Sequence, residues 1–167
     1  MITDEWLAGF CDGESCMMLV RCGGTKTRRG LWQPLFRVNL RDDDGDLLHA
    51  IREHVEVGSL FNQPVHPTHA RNSNPQRAWQ VSGRACAKIV EILDRAPLRS
   101  KKRFEYPIWR EAVLLYVANR GAHGNAQTKA SLAALNARDE LMGVLHDRLV
   151  EIRKYSGSRT EEAWDAL

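Results

Sequence analysis

The sequence predicts an α+β fold in the order αββαββα, with four antiparallel strands and extra helices toward the C-terminal end, and three patterns predict it. Apolar and polar residues alternate over residues 35–40, with Phe36 and Val38 against Arg37 and Asn39, and again over 78–82, with Trp79 and Val81 against Gln80 and Ser82. Apolar residues recur at helical spacing over 47–55, 85–93, 106–119 and 132–155. Turn-forming clusters separate these runs at 23–30, 42–46, Gly58 and the three-proline stretch 64–77.

Taken in order, Thr3 is an N-cap candidate, followed by Asp4 and Glu5 in a first turn and by the apolar run Trp6 to Cys11, which predicts a short, mostly buried helix. Residues 17–22 are β-prone, and with 35–40 they form a hairpin across a loop rich in Gly, Lys and Arg. The acidic cluster 42–46 caps a second helix, Gly58 precedes a third strand over 59–63, and 78–82 is the fourth. Pro107 suits the first turn of the helix at 106–119, with Trp109 and the Leu114–Leu115 pair in its core.

A chain of 167 residues can bury one good core, so a single domain over 1–167 is expected, with its core at about 1–118 and a helical extension at about 127–156. No apolar run approaches the roughly 20 residues that span a bilayer, which argues against a membrane. The acidic N-terminus does not resemble a secretory signal. The cytoplasm of a bacterium or phage-infected cell is therefore expected, and an organelle-encoded protein would share these features. Cys11, Cys16, Cys22 and Cys86 lack paired zinc spacing and read as small buried hydrophobes. His66 and His69 read as loop residues without chemistry. A net charge of +3 is too mild to identify a nucleic-acid binder by itself, so the basic residues are read by position.

The segment Leu7-Ala8-Gly9-Phe10-Cys11-Asp12-Gly13-Glu14-Ser15 resembles the LAGLIDADG motif of homing endonucleases, with Leu7, Ala8, Gly9 and Asp12 identical and an acid at the eighth place. The run Pro97-Leu98-Arg99-Ser100-Lys101-Lys102 resembles the basic turn that supplies that family's active-site lysine, and the resemblance covers roughly the first 115 residues. It implies the family's αββαββα fold with a DNA-binding saddle. It also implies an endonuclease cutting both strands of a long, nearly palindromic DNA site, and a single-motif chain that works as a homodimer.

The motif also makes physical sense residue by residue. Gly9 and Gly13 fall on one helix face and let two backbones approach, so Leu7, Ala8, Gly9 and Asp12 are the helix-pair candidates; the resemblance implies that Asp12 caps or braces the pair. Pairing would bring two copies of Glu14 to one twofold axis at the negative helix ends, where divalent cations are needed. Glu14 and the Gly13 carbonyl form the metal half-site, for Mg2+ in cleavage, with Mn2+ or Ca2+ able to replace it in binding.

The resemblance gives the catalytic lysine role to Lys101, with Arg99 and Lys102 as backbone contacts. Relatives place a water-ordering polar residue at the end of the second strand. If Leu40 occupies that place, either Arg41 takes the role or cleavage is weak. Gln33, Arg37, Asn39, Gln63, Gln80 and Ser82 are the outward, base-reading set, aided by Lys26, Arg28 and Arg29 in the hairpin loop, with double-stranded DNA as partner. Three other readings stay open: a non-cleaving DNA-binding regulator on the same scaffold, a splicing maturase that binds intron RNA, and an unrelated monomeric interaction domain.

Overall fold

The protein is described from a computed structural model over residues 1–24, 30–63, 74–118 and 129–154. Helix α1 (Asp4–Glu14) leads directly into β1 (Ser15–Cys22), which pairs antiparallel with β2 (Leu31–Arg41). A single 3-10 turn (Asp42–Asp44) then opens α2 (Gly45–Val55), followed by β3 (Ser59–Gln63) and β4 (Gln76–Ser82). After a second such turn (Gly83–Ala85) come α3 (Cys86–Arg95), α4 (Lys102–Ala118) and α5 (Lys129–Arg153). The sheet order is β1-β2-β4-β3, all neighbours antiparallel. This is the α+β architecture expected from the alternation and spacing.

The helices cover one face of the sheet. Met17, Leu19, Phe36, Val38, Trp79 and Val81 project into that layer and meet Leu7 of α1, Leu48 and Ile51 of α2, Ile89 and Leu93 of α3, and Trp109 and Val113 of α4. Phe36 is at the centre, 5.9 Å from the Trp79 ring and 5.8 Å from that of Trp109. Both indoles satisfy their polar edge: Trp79 donates to the Val57 carbonyl at 3.0 Å and Trp109 to that of Met18 at 3.2 Å. At Gly58 the backbone has φ +96°, and a Cβ there would meet the Trp79 indole, so this turn requires glycine.

β2 starts at Leu31, four residues before its alternating stretch, and contains Pro34. β4 pairs with β2 only as far as Leu35. Beyond it, the β2 edge turned away from β1 faces no strand among the described residues, so the N–H that Pro34 lacks is not needed there. Trp32, on the same edge, gives its N–H to the Asp139 carboxylate of α5 at 2.7 Å. Arg21 of β1 reaches the other Asp139 oxygen at 3.1 Å, and the Trp32 ring lies 4.3 Å from both the Arg21 guanidinium and the His146 ring. At the other end of α5, Arg153 pairs with Glu105 of α4 at 2.7 Å and donates to the Met17 carbonyl.

Several boundaries differ from the sequence reading. α4 begins at Lys102, so the basic run enters the helix and Pro107 lies one turn inside it, where its missing N–H leaves the Arg103 carbonyl without an intrahelical donor. Trp109 is buried as expected, but Leu114 is 43% exposed. Cys11 and Cys86 are buried hydrophobes, with burial pushing each thiol up to about 12, whereas Cys16 and Cys22 are exposed. Most of the proline-rich loop, including His66 and His69, lies outside the described residues.

Replacing Asp139 with Ala orphans the Trp32 N–H and removes the ion pair of Arg21, which keeps its bond to the Gly30 carbonyl. The expected cost is about 1 to 3 kcal/mol, read as a lower urea midpoint at unchanged m-value.

Candidate functional site

The end of α1 is the place where elements converge. Thr3 caps the start by accepting the Trp6 N–H at 3.2 Å. The helix stops because Ser15 turns extended (φ −85°, ψ 160°) and enters β1, its hydroxyl donating to the Cys11 carbonyl at 2.7 Å. The Lys102 ammonium donates to that same carbonyl at 2.8 Å and to the Gly13 carbonyl at 3.1 Å. It thus sits at the negative pole of the helix. Burial pushes the Lys102 pKa down, by more than Glu105, Asp12 and the nearby cysteines raise it. Glu14 is exposed and makes no hydrogen bond or ion pair with any described residue.

Asp12 fixes this arrangement. Its carboxylate accepts the N–H of Arg99 at 2.7 Å, the N–H of Ser100 at 2.8 Å and the Ser100 hydroxyl at 2.8 Å, which pins the basic turn to α1. Burial raises the Asp12 pKa, but those donors together with the Lys102 charge outweigh it and hold the carboxyl below its usual range. Ser100 Oγ in turn accepts the Lys102 N–H at 3.2 Å, which starts α4.

The glycine face of α1 is open. Leu7 and Ala8 are buried in the chain's own core, while Gly9 and Gly13 are exposed and a Cβ on either would meet nothing within 4 Å. Beside them runs a groove of about 480 Å³ lined in part by Glu5, Gly9, Asp12, Arg95 and Arg99. Trp6 and Phe10 stack on each other, ring centroids 5.2 Å apart.

Strand register puts Gln33, Arg37, Asn39, Gln63, Gln80 and Ser82 on the sheet face opposite the helices. Arg37 and Gln80 are cross-strand partners, with Arg37 Nε donating to Gln80 Oε1 at 3.1 Å and the guanidinium 5.4 Å from the Phe61 ring. Gln63 donates to Asn39 at 3.4 Å. The two residues in question at the end of β2 separate: Leu40 packs against the core, and Arg41 is on the outer face, paired with Asp43. Because Ser15 pairs with Val38, Asn39 is the outward polar residue next to the point where the chain leaves α1.

Lys101 is exposed and its side chain meets no described partner. The sequence reading does not foresee the contact of Lys102 with α1; Ser100, a good N-cap residue, is the signal that α4 starts early enough to carry Lys102 back onto that helix. Lys26, Arg28 and Arg29 lie outside the described residues. Among the described residues, no group of three or more His, Cys, Asp or Glu could hold a metal within one chain. No described helix is long and apolar enough to cross a membrane.

Comparison with known proteins agrees on one family. The family model described as LAGLIDADG endonuclease matches residues 7–113. A probable intron-encoded endonuclease, Cox1-I1b of Schizosaccharomyces pombe, is 25% identical over 112 residues, which cover 66% of this chain and 27% of that protein. The chain thus spans about a quarter of this curated relative. The crystal structure of the homing endonuclease I-TnaI superposes with a TM-score of 0.60 at 23% identity, covering 90% of this chain and 95% of that one. I-SmaMI bound to an uncleaved DNA target in the presence of calcium ions gives 0.64 at 17% identity, covering 99% and 49%. I-CpaMI bound to uncleaved DNA gives 0.58 at 16%, covering 99% and 57%.

Asp12→Asn should weaken the pin and lower stability by about 1 kcal/mol near neutral pH. The folded Asp12 carboxyl titrates below its unfolded value of about 3.9. Its stabilising contribution is therefore present above that value and lost as pH falls through the folded pKa. Urea titrations at several pH values should show the wild-type advantage over the variant shrinking below about pH 4.

Proposed function

The chain belongs to the LAGLIDADG endonuclease family, and from that premise we propose that it is a homodimeric, divalent-metal-dependent endonuclease for a long, nearly palindromic DNA site. The observation that carries this reading is the end of α1, where an unpartnered Glu14 carboxylate stands beside carbonyls that already hold a cation, the Lys102 ammonium, on a helix whose glycine face is open. The residues fit a hard cation such as Mg2+, with Mn2+ or Ca2+ able to replace it in binding: one free carboxylate and the Gly13 carbonyl from each chain. When bound, such a cation activates water and neutralises charge on the scissile phosphate.

The chain's own residues divide the remaining work. Gly9 and Gly13 allow a second copy of α1 to approach, so that two Glu14 carboxylates meet across one twofold axis. The exposed Lys101 is placed on the basic turn to stabilise charge developing on phosphate. Asn39, at the α1 end of β2, is better placed than Arg41 to order a water, because Arg41 is held by Asp43. The polar sheet face reads base edges in the major groove through Gln33, Arg37, Asn39, Gln63, Gln80 and Ser82. Lys26, Arg28, Arg29 and Arg99 serve as phosphate contacts. DNA bound by I-SmaMI and I-CpaMI supports DNA as the partner here.

The test is cleavage of an uninterrupted copy of the gene's insertion region with Mg2+, Ca2+ or EDTA. Double-strand cutting should require Mg2+ and fall by about 100-fold or more in Glu14→Gln. Salt-sensitive DNA binding without cutting would instead favour a regulator, and tight binding of intron RNA alone a maturase. Gly9→Leu should leave the monomer folded, since its Cβ has open space. The variant should elute as a monomer on gel filtration and lose double-strand cutting, while a wild type that is itself monomeric would sink the dimer.

A further inference from the structure

The Gly13 carbonyl has two claims on it. In the proposed metal site it is a ligand, yet in the free chain it accepts from the Lys102 ammonium at 3.1 Å, together with the Cys11 carbonyl at 2.8 Å. A monovalent and a divalent cation on one carbonyl oxygen repel strongly in a partly desolvated place. Lys102 must therefore leave before the carbonyl can serve a metal. Nothing else among the described residues holds that ammonium by an ion pair, and its stem is flexible, so its departure needs only a better acceptor. A DNA phosphate is such an acceptor, because it carries a full negative charge where the two carbonyls carry only partial ones, so the ammonium gains an ion pair as well as a hydrogen bond. Arg99 and the exposed Lys101, on the same turn, would draw the backbone toward it.

We propose that Lys102 is a positioning cation that closes the Gly13 carbonyl to divalent metal in the free protein and releases it when DNA phosphate takes the ammonium, so that metal and DNA bind cooperatively. This rests on the metal-dependent nuclease reading and assigns the coupling within it to one side chain. Lys102 need not touch the reacting atoms. Its contribution is to keep metal off a protein that has no DNA, and by linkage to make metal strengthen DNA binding by the same factor.

The experiment measures Mn2+ binding to the full chain without DNA, from the loss of the free-ion signal in electron paramagnetic resonance. Wild type is compared with Lys102→Gln, Lys102→Met, Glu14→Gln and the distant Lys88→Gln, with folding checked by circular dichroism. Both Lys102 variants should bind Mn2+ about tenfold or more tighter than wild type, within the range typical of coupled sites, and Lys88→Gln should not. Fluorescence anisotropy with the insertion-region duplex should show Ca2+ strengthening DNA binding in wild type and much less so in Lys102→Gln.

Wild-type Mn2+ affinity in both Lys102 variants, with Glu14→Gln weaker than either, would overturn the coupling while leaving the metal site standing. Unchanged affinity in Glu14→Gln would overturn the site beneath it as well. Failure of both Lys102 variants to fold would also overturn the proposal, since the lysine would then be a permanent counter-ion of the helix end.

Discussion

The geometry of the site depends on one carboxylate, that of Asp12. Asp12 gathers the N–H groups of Arg99 and Ser100 and the Ser100 hydroxyl, and in doing so fixes the start of α4 against the end of α1. Residues 12 and 100 are far apart in sequence, and bringing them together carries an entropic cost that several charge-assisted bonds offset. Everything placed at the helix end follows from that contact. Lys102 reaches the Cys11 and Gly13 carbonyls because Ser100 starts α4 there, and with that ammonium directed to carbonyls Glu14 has no ion-pair partner among the described residues. With Asp12 committed inside its own chain, it shapes the helix-pair surface chiefly by setting the basic turn at its rim.

The two faces of the sheet differ in chemistry. The helix-facing side of the sheet is sealed by Phe36, Trp79 and Trp109, and the opposite side keeps a polar row whose members bond one another across strands. Those bonds order Arg37 and Gln80 in the free chain, which on the proposed reading would lower the ordering cost of meeting DNA. α5 stiffens the sheet from its far end. Asp139 supplies the acceptor that a longer β4 would have supplied to Trp32, and Arg153 ties the helix terminus to Glu105 and Met17. The C-terminal extension thus compensates for a β4 too short to cover β2.

Much of this was legible in the residues. Alternation at Phe36, Val38, Trp79 and Val81 predicts both the strands and which face they bury, because period 2 has only two phases. The motif helix was legible from Thr3 and from the nine residues that follow Trp6. The start of β2 at Leu31 was not, since Pro34 argues against a strand unless one knows that β4 ends opposite Leu35. The contact of Lys102 with α1 was not legible, for a related reason. Two adjacent lysines differ by about 100° around a helix, so which one faces α1 depends on where α4 begins, and Pro107 suggested a later start. Leu40 and Arg41 show the same ambiguity at a strand end: one residue of register exchanges core for surface.

The arrangement also explains why one chain is an incomplete site on the proposed reading. Among the described residues no cluster of metal-binding side chains forms within the chain, and Glu14 stands alone at the surface. On that reading the second carboxylate comes from a second copy, and the open face at Gly9 and Gly13 is the route by which a copy could bring it. Two Glu14 carboxylates near one axis would repel each other, so the helix pair would be weakest exactly where its chemistry lies. Lys102 offers a partial remedy in the free protein, because an ammonium at each helix end lowers the negative potential before any metal is present. The same lysine can thus ease assembly and restrain metal uptake, and DNA, by removing it, would trade that internal counter-charge for the divalent cations that cleavage needs.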